Sequence, residues 1–292
     1  MPFLGAHLSA AGGVSRAAVA AENAGCEALQ VFLRAPGRWA AAPLSDAEVG
    51  RFRAACAAAE LVGRCFAHAP YLLNLASGDA ALRKRSVAVL ADELSRAGRL
   101  GLAGVVLHPG SAGTTDRCAA RARCRDAIAA ALERAGASAA RLLLEGTAGA
   151  GGLLGRTPAE LRSLVEGSPR ARVGVCLDTA HLWGAGYDLH RDGWNRVLDE
   201  LGESWGMAAP DLLHANDTPV ELGSRRDRHA PPGHGKLGAA FFRRVLADSR
   251  CTHVPMVMEI PPGEDNREVK TALRRLRRWG REAHGGDGTG PG

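Results

Sequence analysis

The chain has 292 residues, 46% of them hydrophobic and 23% charged, with a formal net charge of +6. This is a globular composition with ample core, which excludes a disordered chain and leaves room for one large α/β domain or two ordinary ones. No stretch approaches the roughly 18 continuous apolar residues of a membrane span, and Met1 leads into FLGAHLS without a signal pattern, so a soluble cytoplasmic protein is expected.

Short apolar runs alternate with amphipathic Ala- and Arg-rich segments along the chain. The first run, Phe3 to Leu8, precedes a helical pattern closed by Gly25. The second, Cys26 to Leu33, passes through the loop Arg34-Ala35-Pro36-Gly37-Arg38-Trp39 to a helix opened by the capping box Ser45-Asp46-Ala47-Glu48 and closed by Gly63. The third, Arg64 to Ala67, ends in His68. The fourth, Gly104 to Leu107, follows Gly101 and ends in His108. The fifth, Arg141 to Leu144, follows Gly136 and ends in Glu145; Thr157-Pro158-Ala159-Glu160 then opens a helix with proline at its first position. The sixth, Val173 to Leu177, ends in Asp178, with His181 just beyond. The seventh, Asp211 to Leu213, ends in His214, and its loop carries Asp227-Arg228-His229. The eighth, Val254 to Met258, ends in Glu259. Residues 1–283 are expected to form one domain and 284–292 a disordered tail. The Arg-rich run Arg274 to Arg281 reads as an ordinary helix face. Seven cysteines without a CxxC pair fit reduced thiols rather than a disulfide framework.

Eight β-then-α units predict a single-domain (β/α)8 TIM barrel. A doubly wound sheet would want a Gly-rich phosphate turn after its first strand, and Ala10-Ala11-Gly12-Gly13-Val14 is a poor one. In a parallel barrel the C-terminal strand ends share one face. Any single His or Glu so placed is more often a surface or hydrogen-bonded group than a ligand. Here, however, His68, His108, His181, His214 and His229 are five of only ten histidines, and Glu145, Asp178, Asp227 and Glu259 join them. A nitrogen and oxygen donor set suits Zn²⁺, with Mn²⁺ or Fe²⁺ possible at one position. At about three protein ligands per ion, with one carboxylate bridging, the set suggests three ions. Three divalent ions would outweigh the four carboxylates and favour an anionic substrate. Metal-dependent phosphoester hydrolysis is the chemistry the residues suggest, and the basic chain suits a polyanionic partner.

The segments LHPGS (Leu107 to Ser111), LLEGTAG (Leu143 to Gly149), VGVCLDTAH with GAGYD (Val173 to Asp188), HANDT (His214 to Thr218) and GSRRDRH (Gly223 to His229) resemble the endonuclease IV family. These are zinc-dependent apurinic/apyrimidinic endonucleases of DNA repair, with a xylose-isomerase-like barrel. The resemblance runs from GAHLSAAGG at Gly5 to MEIPP at Pro262. It implies a trinuclear zinc site. His68, His108 and Glu145 would hold one ion. Glu145 would bridge to a second, completed by Asp178, His214 and Glu259, and His181, Asp227 and His229 would hold the third. A hydroxide on the metals would attack the phosphorus 5′ to an abasic site in duplex DNA, leaving a 3′-hydroxyl and a 5′-deoxyribose phosphate. Glu145 would orient its proton. A 3′-repair phosphodiesterase activity would share the site. Tyr71 and Leu72 match the loop that inserts at the lesion, and Arg225, Arg226 and Arg228 are expected phosphate contacts.

This sequence departs from the family at Ala35 and Gly37, where an Asn and an Arg are usual; Arg38 and Trp39 remain as candidate DNA contacts. Gly146 replaces an Asn, removing a hydrogen bond expected to support a ligand. His234 replaces a Glu and is expected in a loop rather than as a ligand, and His7 is expected behind the ligands. Two rivals are a zinc or manganese sugar isomerase or epimerase of the same superfamily, and a damaged-DNA-binding protein with weakened catalysis. A monomer is expected.

Overall fold

A computed structural model describes residues 1–283; the tail expected at 284–292 lies outside the described residues. Eight parallel strands close into a barrel in chain order: β1 (Phe3–His7), β2 (Ala28–Phe32), β3 (Cys65–His68), β4 (Gly104–Leu107), β5 (Arg141–Glu145), β6 (Val173–Asp178), β7 (Leu212–His214) and β8 (Pro255–Met258). The ring shuts where Phe3 to Ala6 pair with Pro255 to Met258. Strands covered on both faces must be apolar almost throughout, which is why the sequence shows runs rather than alternation.

The helices are α1 (Val14–Ala24), α2 (Asp46–Ala58), α3 (Ala80–Leu100), α4 (Arg117–Ala135), α5 (Pro158–Leu164), α6 (Thr179–Ala185), α7 (Gly193–Trp205), α8 (Gly238–Ala247) and α9 (Arg267–Ala283). β6 is therefore followed by two helices rather than one. Gly25 and Gly101 end α1 and α3 in the left-handed conformation, as expected. Gly63 does not end α2. That helix stops at Ala58, and Gly63, at φ 77°, lies in the turn before β3. Ser45 and Thr157 do accept from the amides of Glu48 and Glu160. Neither Glu returns the bond to its cap: Glu48 accepts from the Ser15 amide and hydroxyl, and Glu160 from the Arg156 amide. Glu48 thereby ties its helix start to the helix that carries Ser15, and Glu160 also pairs with Arg117 at 2.7 Å.

Two side-chain layers fill the barrel. The lower consists of Ala28, Phe66, Val106, Leu143, Cys176, Leu212 and Val257, packed on one another. Side chains two residues apart share a face of a strand. One step up from that apolar layer therefore come Gln30, His68, His108, Glu145, Asp178, His214 and Glu259. On β1, Gly5 lies opposite Ala28, and His7 lies opposite Gln30. A Cβ on Gly5 would fall 1.8 Å from the Ala28 carbonyl, so only glycine lets these strands meet there. All eight strands thus deliver a polar side chain to one level of the C-terminal end.

Candidate metal centre

The ligand candidates converge around Glu145, which is fully buried on β5. One carboxylate oxygen lies 3.1 Å from His68 Nε2 and 3.3 Å from His108 Nε2. The other lies 3.0 Å from His214 Nδ1. His214 Nδ1 is also 3.3 Å from Glu259 Oε2 and 3.8 Å from Asp178 Oδ2. His181 Nε2 and His229 Nε2 each lie 3.2 Å from Asp227 Oδ1, and His229 Nε2 is 3.5 Å from Asp178. Three overlapping groups result: His68, His108 and Glu145; Glu145, Asp178, His214 and Glu259; and Asp178, His181 and His229, with Asp227 beside them. Asp178 thus adjoins the second and third groups, whereas the sequence reading assigned it only to the second.

The spacing fits shared cations. Bonds of about 2.0–2.1 Å in a tetrahedron set neighbouring donors about 3.3 Å apart. The imidazoles are also oriented for it. His68 Nδ1–H donates to the Ala69 carbonyl at 2.7 Å, and His181 Nδ1–H to the Gly146 carbonyl at 2.8 Å, so Nε2 of each faces the centre. His181 Nε2 and His229 Nε2 are buried without a hydrogen-bond partner although Asp227 is within 3.2 Å. A buried unpaired nitrogen is costly, and a bound ion removes that cost. The donor set therefore fits divalent zinc-like ions.

Electrostatics agree. Burial alone would lower the His181 and His214 imidazoles, but their surroundings, Asp178 foremost at His181 and Cys176, Glu259 and Glu145 at His214, hold both well above the usual histidine value. Burial opposes the His229 proton too, yet Asp178 and Asp227 raise it to about 9. Burial would raise Glu145, but His108, His214 and His181 hold it well below the usual carboxylate range. Without metal the cluster would hold protons in place of ions.

Asp178 does double duty as the N-cap of α6, accepting from the amides of Ala180 and His181. That cap places His181 in the first helical turn, facing the site. Gly146 supports His181 through its backbone carbonyl, so no side chain is needed there for that bond.

Several supporting residues escaped the sequence reading. Asn216 donates to Asp178 at 2.6 Å and accepts from the Glu259 amide. Asp217 is buried and accepts from the amides of Thr218, Gly233, Gly235, Leu237 and Gly238, gathering the loop that follows His229. Gln30 touches His7, His214 and Glu259. The polar stretch HANDT was a signal for two of these. An amide inside the apolar run Ala28 to Phe32 was a signal for the third.

The expected DNA contacts lie around the site rather than in it. Tyr71 is 62% exposed and stands edge-on to Phe32, its ring 5.4 Å from that of His68. Leu72 is half-buried in the wall of a cavity of about 470 Å³ that reaches His108, His181 and Asp227. Arg38, Arg225, Arg226 and Arg228 are exposed. Trp39 is half-buried under the Arg85 guanidinium, 4.2 Å from its ring centre. Arg34, by contrast, is buried in ion pairs with Glu93 and Asp92 and bonds the Trp39 carbonyl, so it anchors the β2–α2 loop. His234 is exposed in the loop that Asp217 gathers, and is in none of the three groups.

The closed parallel barrel with a His and carboxylate cluster at its strand ends is that of a xylose isomerase-like TIM barrel, and the pattern of that family matches residues 18–279. A protein of Oleidesulfovibrio alaskensis named probable endonuclease 4 is 45% identical over 281 residues, covering 94% of each chain. One of the same name from Methanoculleus marisnigri is 39% identical over 90% of this chain and 94% of its own. The crystal structure of endonuclease IV from Thermus thermophilus superposes with a TM-score of 0.85 at 38% identity, covering 96% of this chain and all of that one. The chain belongs to the endonuclease IV family. A D-tagatose 3-epimerase-like protein, at 16% identity and a TM-score of 0.70, shares the fold.

Proposed function

We propose that this protein is a DNA repair endonuclease that hydrolyses the phosphodiester 5′ to abasic sites in duplex DNA, leaving a 3′-hydroxyl and a 5′-deoxyribose phosphate, with a 3′-repair phosphodiesterase activity at the same site. The observation that carries the reading is the pair of buried His181 and His229 nitrogens, each without a hydrogen bond and 3.2 Å from Asp227, within a cluster that overlaps through Glu145 and Asp178. Family membership supports it.

His68, His108 and Glu145 would hold one zinc ion, Glu145, Asp178, His214 and Glu259 a second, and His181, Asp227 and His229 a third. Bound zinc ions would supply Lewis acidity toward the phosphate and ionise water near neutral pH. Glu145 faces both of the first two positions and is placed to orient the proton of the attacking water. Tyr71 and Leu72 would fill the space left by the missing base, where a lesion opens the stack most cheaply. Arg225, Arg226 and Arg228, with Arg38 and Trp39 across the rim, would hold backbone phosphates. The protein would act as a monomer on nucleoid DNA in the cytoplasm.

The test is incision of a duplex containing one tetrahydrofuran abasic analogue by zinc-loaded protein without magnesium. Cleavage 5′ to the lesion with a 3′-hydroxyl end is expected, falling roughly 10²–10³-fold or more in Glu145→Gln. A fully zinc-loaded protein that leaves this duplex intact would overturn the proposal.

A further inference from the structure

Gln30 is the one ring member on β2, and the sequence reading passed over it. Its side chain is fully buried in a strand that is otherwise apolar. A buried primary amide is costly unless its donors and acceptor are used. Here they are. Oε1 lies 2.8 Å from His214 Nε2, and Nε2 donates to Glu259 Oε1 at 2.7 Å. The second amide hydrogen faces His7 Nδ1 at 3.0 Å. The opposite amide orientation would set its oxygen against the Glu259 carboxylate, so the contacts fix one orientation.

That orientation has a consequence for each neighbour. An amide oxygen can only accept, so His214 must carry its hydrogen on Nε2, which leaves Nδ1 to face Glu145 at 3.0 Å and Glu259 Oε2 at 3.3 Å. Glu259 Oε1 is engaged by the amide, which leaves Oε2 for the centre. One side chain thus selects the inward-facing atom of two others. We propose that Gln30 is a positioning residue of the metal centre, setting the tautomer of His214 and the oxygen of Glu259 that face the shared ion, with His7 holding the amide from behind. The inference rests on the metal-centre reading above. It extends that reading to a residue that touches no ion.

The test is zinc retained per chain during titration with a graded chelator at fixed pH, for wild type, Gln30→Met and Gln30→Glu. Unfolding of the metal-free proteins is followed in parallel. Gln30→Met keeps the length of the side chain and removes its bonds to His214, Glu259 and His7. One ion is expected to leave at roughly 10–100-fold lower chelator strength, the usual cost of losing a ligand's outer partner, while the remaining zinc leaves as in wild type. Gln30→Glu keeps an acceptor for His214 but sets a carboxylate against Glu259, and is expected to weaken the same ion. The inference is overturned if both variants hold all their zinc as wild type does. It is equally overturned if they lose every ion together with a lowered metal-free unfolding midpoint, which would make Gln30 a packing residue. A wild-type protein that binds no zinc would overturn the metal centre itself, so the two failures are distinguishable.

Discussion

The strand-end ring and the loops above it lie a few ångströms apart and are built on opposite terms. Glu145 and His214 in the ring, and His181 beside it, are buried and each meets several partners, so the barrel leaves them little freedom. On the rim, Arg38, Arg225 and Arg226 are exposed, and no side-chain hydrogen bond or ion pair is seen for them among the described residues. Rigid placement suits groups that must hold cations at fixed spacing, whereas a duplex brings its own geometry and can be met by mobile cations. Substitutions in the ring should therefore change chemistry and metal content, and substitutions on the rim should change affinity.

After Glu145→Gln, the largest effect at the metal cluster is expected from His229→Ala. It removes one of the two buried nitrogens that lack a hydrogen bond, and turnover should fall on the order of 10²-fold while duplex affinity changes little. Single-turnover incision alongside equilibrium binding checks this; equal losses in both would erase the distinction between ring and rim.

Next comes the pH response of the metal-free protein. Folding raises His229 from 6.5 to about 9, and raises His181 and His214 as well. A raised histidine contributes stability that is complete below the unfolded value and is lost as pH climbs through the folded one. Metal-free protein should therefore lose stability from about pH 6.5 upward to about pH 9. Zinc affinity should rise over the same interval as the competing protons leave. Denaturant unfolding with and without zinc at several pH values reads both signs.

Asp217 lies between the two regions. Asp217→Ala strands five loop amides and should cost about 1–3 kcal/mol of stability. The β-bridge from Asp217 to Ala230 is made by backbone alone and should survive, keeping His229 near its place. Thermal unfolding and zinc content together test this.

The smallest effect is expected on the rim. Arg225→Ala with Arg226→Ala should leave zinc content intact, weaken duplex binding several-fold, and lower the slope of log affinity against log salt by about 1 for each phosphate no longer neutralised. An unchanged slope would remove these arginines from the interface.

Much of this was legible before any coordinates. The eight apolar runs became the eight strands with ends moved by at most two residues, and β4 with neither end moved, because a doubly covered parallel strand has to be apolar along its length. The ligand candidates stood out as a set, because six successive runs end in a His or an acid, with His181, Asp227 and His229 just beyond, although any one of them alone would more often be an ordinary surface or hydrogen-bonded group. Other features depended on partners distant in sequence. Arg34 received no role from the sequence, yet it is buried against Asp92 and Glu93 of α3 and anchors the loop after β2. Gly63 looked like a helix stop, but local sequence does not say which turn a glycine serves.

Pleat and periodicity are local properties, so the sequence by itself determined the barrel, the face that bears the site and the donor types available there. The tertiary structure alone decided which atoms of those donors face one another. That choice depends on hydrogen bonds across the barrel, such as Gln30 to His214 and Asn216 to Asp178, whose partners lie 184 and 38 residues apart in the chain.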